Sequence, residues 1–493
     1  MSHTQGLYSV AQVRAFDAHA IAAQGVPGYT LMCRAGEAAL RALRSRWPTA
    51  RHIAIVCGGG NNGGDGYVVA RCAREAGLEV SALAVGDPAQ LRGDARRAAD
   101  EFRAGGGQVQ PFSAAALNDA EVLVDALLGT GVRKPLRPDF AEAIAAMNRA
   151  GPPILALDLP SGLDGDGGYA LGAAVRADTT VTFVAPKAGL YLGDGPEYAG
   201  RVLCEDLEVT LPSDAAGRPV LERMDESDIT RALPRRRRAA HKGDFGRVLI
   251  IAGAPGMAGA ARLAGEACLR CGAGLVTVAT TADNVMGVVA GRPELMCFGV
   301  SGADELASAL AAATVVAVGP GLGTGLWSRA LFDAALNSGK PLVLDADALN
   351  LLAATGQRPP ASSVLTPHPG EAGRLLGVDA ATVQSDRCAA LQRLVDRTGA
   401  VVVLKGAGTL IGAPGHVPAL CTHGNPGMAA PGMGDVLTGA LAAMLAQCLD
   451  PWRAARAAVM AHALAGDDLA RQGGGRGMLA LELAAALPRW VNL

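Results

Sequence analysis

From Ile53 to Val184 short apolar runs alternate with Gly-rich turns and with Ala/Leu/Arg stretches of helical composition. Runs of this kind suit strands covered on both faces, and their alternation with helices is the pattern of βαβ units in a parallel sheet. Strands are predicted at Ile53 to Cys57, Glu79 to Val85, Val122 to Ala126, Ile154 to Leu157 and Thr180 to Val184. Ahead of them, Val10 to Ala23 and Thr30 to Leu43 read as two helices split by Gly25-Val26-Pro27-Gly28, and Tyr67 to Ala76 reads as the helix after the first strand. The pattern fades from Leu211 to Arg238, which carries Pro212, Gly217, Pro219, Pro234 and the basic run Arg235 to Arg238. A second βα series starts at Arg247, with strands predicted at Val248 to Ala252, Leu275 to Ala279, Val315 to Val318, Leu342 to Leu344, Val364 to Leu365 and Val401 to Leu404. No motif of one half recurs in the other, so the chain reads as two different domains fused. The expected division is 1–212, a linker over 213–238, and 239–493.

Composition adds limits. A chain of 493 residues is too long for one compact core and fits two domains. With 50% apolar residues, 18% charged residues and a net charge of -2, the chain has the make-up of a soluble globular protein. So small a net charge gives no basis for a nucleic-acid or membrane partner, because phosphate binding needs clustered Lys and Arg; Arg235 to Arg238 reads as a solvated linker. Small molecules are the expected partners, and a homo-oligomer is the expected assembly. Of ten cysteines only Cys268 and Cys271 form a C-x-x-C pair, in an Ala/Leu-rich stretch with no second pair, so they read as small buried residues. A reducing, cytoplasmic setting is expected, and Met1 to Val10 has neither a basic n-region nor an apolar h-region. The longest apolar stretch, Val436 to Leu449, stops at Asp450-Pro451, short of the roughly 20 residues that cross a bilayer. The chain has only five lysines, and four of them, Lys134, Lys187, Lys242 and Lys405, fall inside motifs that carry chemistry.

In the first half, Ile53 to Cys57 runs into Gly58-Gly59-Gly60-Asn61-Asn62-Gly63-Gly64-Asp65-Gly66. This contains G-x-G-x-x-G, which in a strand-turn-helix context lets a helix N-terminus meet a pyrophosphate. Asp65 would set a negative charge beside that pyrophosphate, and Asn61 and Asn62 offer carbonyl oxygens suited to a cation or ribose hydroxyls, which disfavours an ordinary dinucleotide site. Two more strand ends carry polar residues: Asp125 leads into Gly129-Thr130-Gly131, and Asp158 leads into Leu159-Pro160-Ser161-Gly162. The C-terminal strand ends of an open α/β sheet share one crevice, so Asn62, Asp125, Asp158 and Ser161 are expected to converge. Separate Asx turns would account for any one of them alone. One or two carboxylates with neutral oxygens suit a monovalent cation.

The segments N-N-G-G-D-G, D-A-L-L-G-T-G and D-L-P-S-G-L-D together resemble NAD(P)H-hydrate epimerase, the YjeF N-terminal family, across roughly Leu7 to Thr210. The resemblance implies substrate contacts from Asn61, Asn62, Gly63, Gly64 and Asp65, and from Gly129, Thr130, Gly131, Val132, Arg133, Lys134 and Pro135. It also implies that Asp158 touches the reacting ring and that Asn62, Asp125 and Ser161 hold K+. Lys187, in Ala185-Pro186-Lys187-Ala188-Gly189, matches a family segment but has no physical role legible in the sequence. Cys33 stands where the family usually has an acidic residue. Epimerising a hydrated dihydropyridine needs reversible loss of the 6-hydroxyl or ring opening, and one acid/base carboxylate serves either route. Asp158 is the candidate. Relatives of this fold also act as non-catalytic binding modules, and the presence of both Asp125 and Asp158 argues against that role here.

In the second half polar segments recur, most of them just beyond a predicted strand: His241 to Gly246, Gly319-Pro320-Gly321-Leu322-Gly323, Asp345 to Asn350, Thr366-Pro367-His368-Pro369-Gly370-Glu371, Leu404-Lys405-Gly406 and Gly424 to Asp435. Gly432-Met433-Gly434 leads into a helix expected to begin near Asp435, an arrangement that offers backbone N–H groups to phosphates. Asp435 would be repelled there unless it accepts a hydroxyl proton during phosphoryl transfer, although Asp also serves well as a helix N-cap. Lys405 is placed to supply a cation, with a solvated strand-end lysine as the plain alternative. His368, between two prolines, can hydrogen-bond a polar substrate or make a purely structural bond.

These motifs resemble the ribokinase-like NAD(P)H-hydrate dehydratase, the YjeF C-terminal family, over about Asp228 to Leu487. The resemblance implies that Ala260, Gly321, His368 and Asp435 contact the hydrated nicotinamide and that Lys405, Gly406, Ala407, Gly408, Thr409 and Gly434 bind ADP or ATP, with Mg2+ accompanying the phosphates. The implied reaction is phosphorylation of the 6-hydroxyl followed by loss of phosphate, which restores NADH or NADPH. The fold class expected from both resemblances is α/β: a Rossmann-like three-layer N-terminal domain plus a ribokinase-like α/β C-terminal domain. The competing reading is a ribokinase-like kinase for a small alcohol or vitamin with a non-catalytic N-terminal module. Pro431 stands where the family usually has glycine, which removes one N–H just ahead of the helix.

Overall fold

The structure, a computed structural model, describes residues 5–131 and 136–493. Val132, Arg133, Lys134 and Pro135, expected as substrate contacts, lie outside the described residues. The chain divides into two compact units between Leu221 and Glu222.

In the first unit seven strands form one sheet in the order Val109–Pro111, Glu79–Ala84, His52–Cys57, Val122–Ala126, Ile154–Leu157, Thr179–Phe183, Arg201–Glu205. Every neighbouring pair is parallel. Alternate residues of each strand face opposite layers: Ile53, Ile55 and Cys57 pack with Phe16, Met32 and Leu43, whereas Ala54 and Val56 pack with Ile144 and Met147. The result is the expected three-layer arrangement. The strand order reverses direction about His52–Cys57, so the crevice beside Val122–Ala126 is a topological switch point. The edge strands Val109–Pro111 and Arg201–Glu205 were not predicted, being short or largely polar and partly exposed.

The helix after the first strand spans Asn61–Glu75, not Tyr67 to Ala76. The N-N-G-G-D-G segment therefore forms its first turns. Glycines usually weaken a helix, but here close packing demands one: a Cβ at Gly63 would stand 2.0 Å from the Gly58 carbonyl oxygen. The first helix, Val10–Ala23, starts at a capping box in which Ser9 Oγ accepts from Gln12 N–H and Gln12 Oε1 accepts from Ser9 N–H. It buries Val13, Phe16 and Ala20 and leaves Asp17 half-buried beside them.

The sheet of the second unit runs Met296–Gly299, Leu275–Thr280, Arg247–Ile251, Val315–Val318, Leu342–Leu344, Val364–Leu365, Val401–Leu404, Thr409–Gly412, Ala419–Cys421. Pairing is parallel as far as Val401–Leu404 and antiparallel from there to Ala419–Cys421. Residues 213–238, expected as a linker, carry structure of their own. Glu222 and Arg223 pair with Ala419 and Leu420, Ser227–Ala232 is a helix, and Arg456 bonds both Asp228 and Glu222 at 2.8 and 3.0 Å. These elements are too short to register as apolar periodicity. Arg235 to Arg238 are exposed, but Arg236 stacks over Phe245 and donates to Gln447. Cys268 and Cys271 are buried free thiols whose pKa values are pushed up by burial. The apolar stretch at Val436 belongs to helix Met433–Cys448, which is buried against helix Ala258–Arg270. Among the described residues no helix is long and apolar enough to cross a membrane.

Candidate active sites

At the C-terminal strand ends of the first unit lies a cavity of about 870 Å³, lined by Gly59, Gly60, Asn61, Asn62, Asp65, Gly129, Thr130, Gly131 and Asp158 among others. Gly63 and Gly64 are buried by packing, Gly63 against Gly58 and Gly64 against Met32 and Ala95. Below the cavity Asp125 and Ser161 are fully buried and bonded to each other. Ser161 donates its N–H to Asp125 Oδ2 at 2.7 Å and its hydroxyl to Oδ1 at 2.5 Å, while Leu127 N–H donates to Oδ1 at 3.2 Å. Asp125 thus makes both an Asx-type turn and a link between two strand ends. Burial pushes its carboxyl up to about 6 despite those bonds. Leu128 N–H donates to Ser161 Oγ, and the adjoining Gly129 packs on Asn62. Asn62 is 7% exposed, yet neither its amide oxygen nor its amide nitrogen has a hydrogen-bond partner. Among the described residues nothing replaces the water that such a buried amide gives up.

Asp158 turns the chain at the end of strand Ile154–Leu157 with φ of 67°. Its carboxylate pairs with Lys187, the largest buried cation of the unit at 1% exposure. The same ammonium donates to Thr182 Oγ1 at 3.1 Å and to the Phe183 carbonyl at 2.9 Å, so its three protons are used. This gives Lys187 the role that the sequence withheld. Asp17 and Asp65 also line the cavity. Burial raises the Asp17 carboxyl to about 6, with Lys187 opposing and Asp158 assisting. Burial, then Asp158 and Asp17, lift Asp65 well above the usual carboxylate range against the pull of Lys187. Asp17 was missed in the sequence, where its signal was a single acidic residue between the buried positions Phe16 and Ala20.

In the second unit strand ends gather a different set. Asp345, 2% exposed, accepts from Lys405 Nζ and Thr366 Oγ1 at Oδ1, and from Thr438 Oγ1 at Oδ2, each at 2.7 Å. Burial alone would raise this carboxyl, but Lys405 and the three donated bonds outweigh it and hold it low. Lys405 also lies 3.9 Å from Glu371. The turn after Val401–Leu404 holds Gly406 and Gly408 at positive φ, with Thr409 Oγ1 donating to the Gly406 carbonyl at 3.0 Å. Asp345, Thr366 and Glu371 sit in motifs read from the sequence, but their mutual contacts were not legible. Thr438 had one signal, a hydroxyl inside an apolar run.

Helix Met433–Cys448 begins at Met433, two residues earlier than expected, so Gly432 is its cap and Asp435 lies inside the first turn. Gly432 takes φ of 85°, a left-handed conformation that only glycine adopts without strain. A Cβ at Gly434 would stand 3.5 Å from Lys405 Nζ, so the exposed turn of the helix faces the ammonium. Burial and the neighbouring Asp345 raise the Asp435 carboxyl to about 6, opposed by Lys405. Below, His462 lies against the Met433 carbonyl at 3.0 Å and is driven down to about 4 by burial, so it stays neutral and donates that bond. His368 caps helix Pro369–Leu376: its Nδ1 accepts from Gly370 N–H at 3.0 Å and its ring is half-exposed, with Nε2 3.3 Å from Glu371. Its structural bond and a free face therefore coexist. Gly321 sits beside Ala260, whose Cβ lies 3.1 Å from where a Gly321 Cβ would be.

Two strand-end sites, one rich in carboxyls around a buried ammonium and one with a helix start facing a lysine, define a chain of two fused α/β enzymes. Residues 28–189 match the family model described as YjeF-related protein N-terminus, and 248–489 match the one described as NAD(P)H-hydrate dehydratase. The bifunctional NAD(P)H-hydrate repair enzyme Nnr of Coxiella burnetii is 46% identical over 487 residues, 99% of each chain. The Escherichia coli K12 protein of the same name is 44% identical, over 95% of this chain and 90% of its own. A crystal structure of a ribokinase-like superfamily protein from Enterococcus faecalis V583 covers 55% of this chain and 96% of its own, at 32% identity and a TM-score of 0.52. The chain belongs to the family of bifunctional NAD(P)H-hydrate repair enzymes.

Proposed function

We propose that this chain repairs hydrated NADH and NADPH: the first unit interconverts the R and S 6-hydroxy epimers, and the second dehydrates the S epimer at the expense of ADP or ATP. The products of the second step are NAD(P)H, phosphate and AMP or ADP. The observation that carries this reading is the Asp435 turn: a helix N-terminus facing the Lys405 ammonium, with a carboxyl inside its first turn that has no bonded partner among the described residues. The helix end and Lys405 suit nucleotide phosphates, and Asp435 suits the 6-hydroxyl, whose proton it accepts as the phosphoryl group arrives. Among the described residues no group of three or more His, Cys, Asp or Glu forms a metal cage. Mg2+ would therefore be bound chiefly through the nucleotide's own phosphate oxygens, where it neutralises charge.

In the first unit the unpartnered Asn62 amide, with Asp125 and Ser161 below it, fits a K+ ion as ligands. When bound there, K+ would supply a fixed positive charge beside the substrate. Asp158 is the carboxylate that faces the reacting ring, and Lys187 fixes its position. Ten free cysteines, several of them buried, support a reducing cytoplasmic location, and a homo-oligomer remains the expected assembly. Incubation of hydrated NADH with ADP or ATP, followed by chromatography, tests the whole reading. Regenerated NADH is expected; a stable phosphorylated product without NADH would instead identify a small-alcohol kinase. With Asp158→Ala the R epimer should persist while S-epimer turnover continues.

A further inference from the structure

Epimerisation through loss of the 6-hydroxyl needs two different services from the cavity. A proton must reach the departing oxygen and return later, and a negative charge must face the cationic ring left behind. Asp158 is suited to the second: Lys187 binds its carboxylate, and that ammonium is itself locked by Thr182 and Phe183. Its geometry is fixed by a buried partner and a left-handed turn. Asp17 and Asp65 differ. Both line the same cavity, and among the described residues neither carboxyl has a hydrogen-bond or salt-bridge partner.

Resting on the epimerase reading above, we infer that Asp17, rather than Asp158 as expected from the sequence, is the proton-carrying catalytic residue of the first unit and that Asp158, fixed by Lys187, is the anion that stabilises the cationic ring. Asp17 gives its proton to the 6-hydroxyl as the C6–O bond breaks, water departs, and the N1 lone pair forms an N1=C6 double bond. Water then adds to the opposite face of C6, and its proton returns to Asp17, so no atom or charge is left over. The electrostatics separate Asp17 from Asp65. An acid/base group works best with a pKa near the working pH. Asp17 is raised to about 6, whereas burial, with Asp158 and Asp17 nearby, lifts Asp65 well above its usual range and so further from that match. The groups facing Asp17 are Lys187, Asp158 and Asp65; Arg14, Asp87, Asp94 and Arg137 are the other charged residues lining the cavity among the described residues.

The test uses the full chain and follows R-to-S interconversion without nucleotide, with S-epimer dehydration at the second unit as internal control. Asp17→Asn replaces a carboxyl by an amide of the same shape and should slow interconversion on the order of 10²–10⁴-fold. Asp17→Glu should recover part of the rate, and Asp17→Ala should regain rate with added acetate in proportion to its protonated form. Wild-type kcat/KM should fall as pH rises through about 6, and that limb should vanish in Asp17→Asn. Interconversion by Asp17→Asn at the wild-type rate overturns the inference. So does a loss that appears only in KM and that acetate does not restore, since that marks a binding role. If the wild-type chain itself fails to interconvert the epimers, the epimerase reading falls first, before any variant is compared.

Discussion

The two sites share a skeleton and use it differently. Each has an aspartate at a strand end, Asp158 or Asp345, paired with a lysine from beyond another strand, the buried Lys187 or the partly buried Lys405. A left-handed non-glycine residue stands at each turn, Asp158 itself in the first unit and Ala346 in the second. In the first unit the lysine is saturated and the aspartate keeps free lone pairs toward the cavity. In the second the aspartate is saturated by Lys405, Thr366 and Thr438, and the lysine faces the glycine turn. On the proposed reading, one pair would present negative charge to a cationic ring and the other positive charge to phosphates. Beside each pair lies a carboxyl without a bonded partner among the described residues, Asp17 or Asp435, raised by burial to about 6. In both proposals an ion pair fixes the field and a separate carboxyl moves the proton.

The largest expected effect comes from Asp435→Asn, which should lower S-epimer dehydration on the order of 10²–10⁴-fold, read as NADH absorbance with ADP, while epimer interconversion persists. Dehydration surviving unchanged would break the parallel with Asp17. Asp435 must be ionised to accept a proton, so dehydration kcat/KM should rise with pH through about 6, opposite in slope to epimerisation. Equal slopes at both sites would mean that one of the two proton assignments is reversed.

Next in size is removal of either paired ammonium. Lys187→Met or Lys405→Met leaves a carboxylate without its partner and should destabilise its own unit by about 3–5 kcal/mol. Calorimetry of the intact chain should show one transition shifted and the other unmoved. A shared shift would mean that the units do not unfold independently. Asn62→Leu should abolish the response of epimerisation to K+ with a smaller thermal shift than Lys187→Met, because the amide has no internal hydrogen bond to lose. The smallest effect is expected from Pro431→Gly. It restores an N–H ahead of the phosphate turn but frees the unfolded chain, costing about 0.4–1 kcal/mol. A Tm scan with nucleotide titration would separate the two contributions.

The central strands of both sheets were legible because a parallel sheet covered on both faces imposes continuous apolar runs, and these survive in sequence as local composition. The edge strands Val109–Pro111 and Arg201–Glu205 escaped because half-exposed edges need no such run. The helix start at Asn61 escaped because three glycines mimic a turn, and only the close approach of Gly58 to Gly63 explains them. Glycine-rich loops, Asp125, Asp158 and Lys405 were legible as polar interruptions at predicted strand ends, and Asp435 as an acidic residue at an expected helix start. Their pairings were not: Lys187 stands 29 positions from Asp158, and Lys405 stands 60 from Asp345.

By itself the sequence determined two unlike α/β halves, the strand ends that carry chemistry and the family to which those motifs belong, since all of these are written in local periodicity and short motifs. Only the tertiary structure decided which carboxylates are held by lysines and which stand free. Protonation depends on burial and on charges brought together through space, and residues such as Asp17 and Thr438 acquire both only when distant helices close over the strand ends.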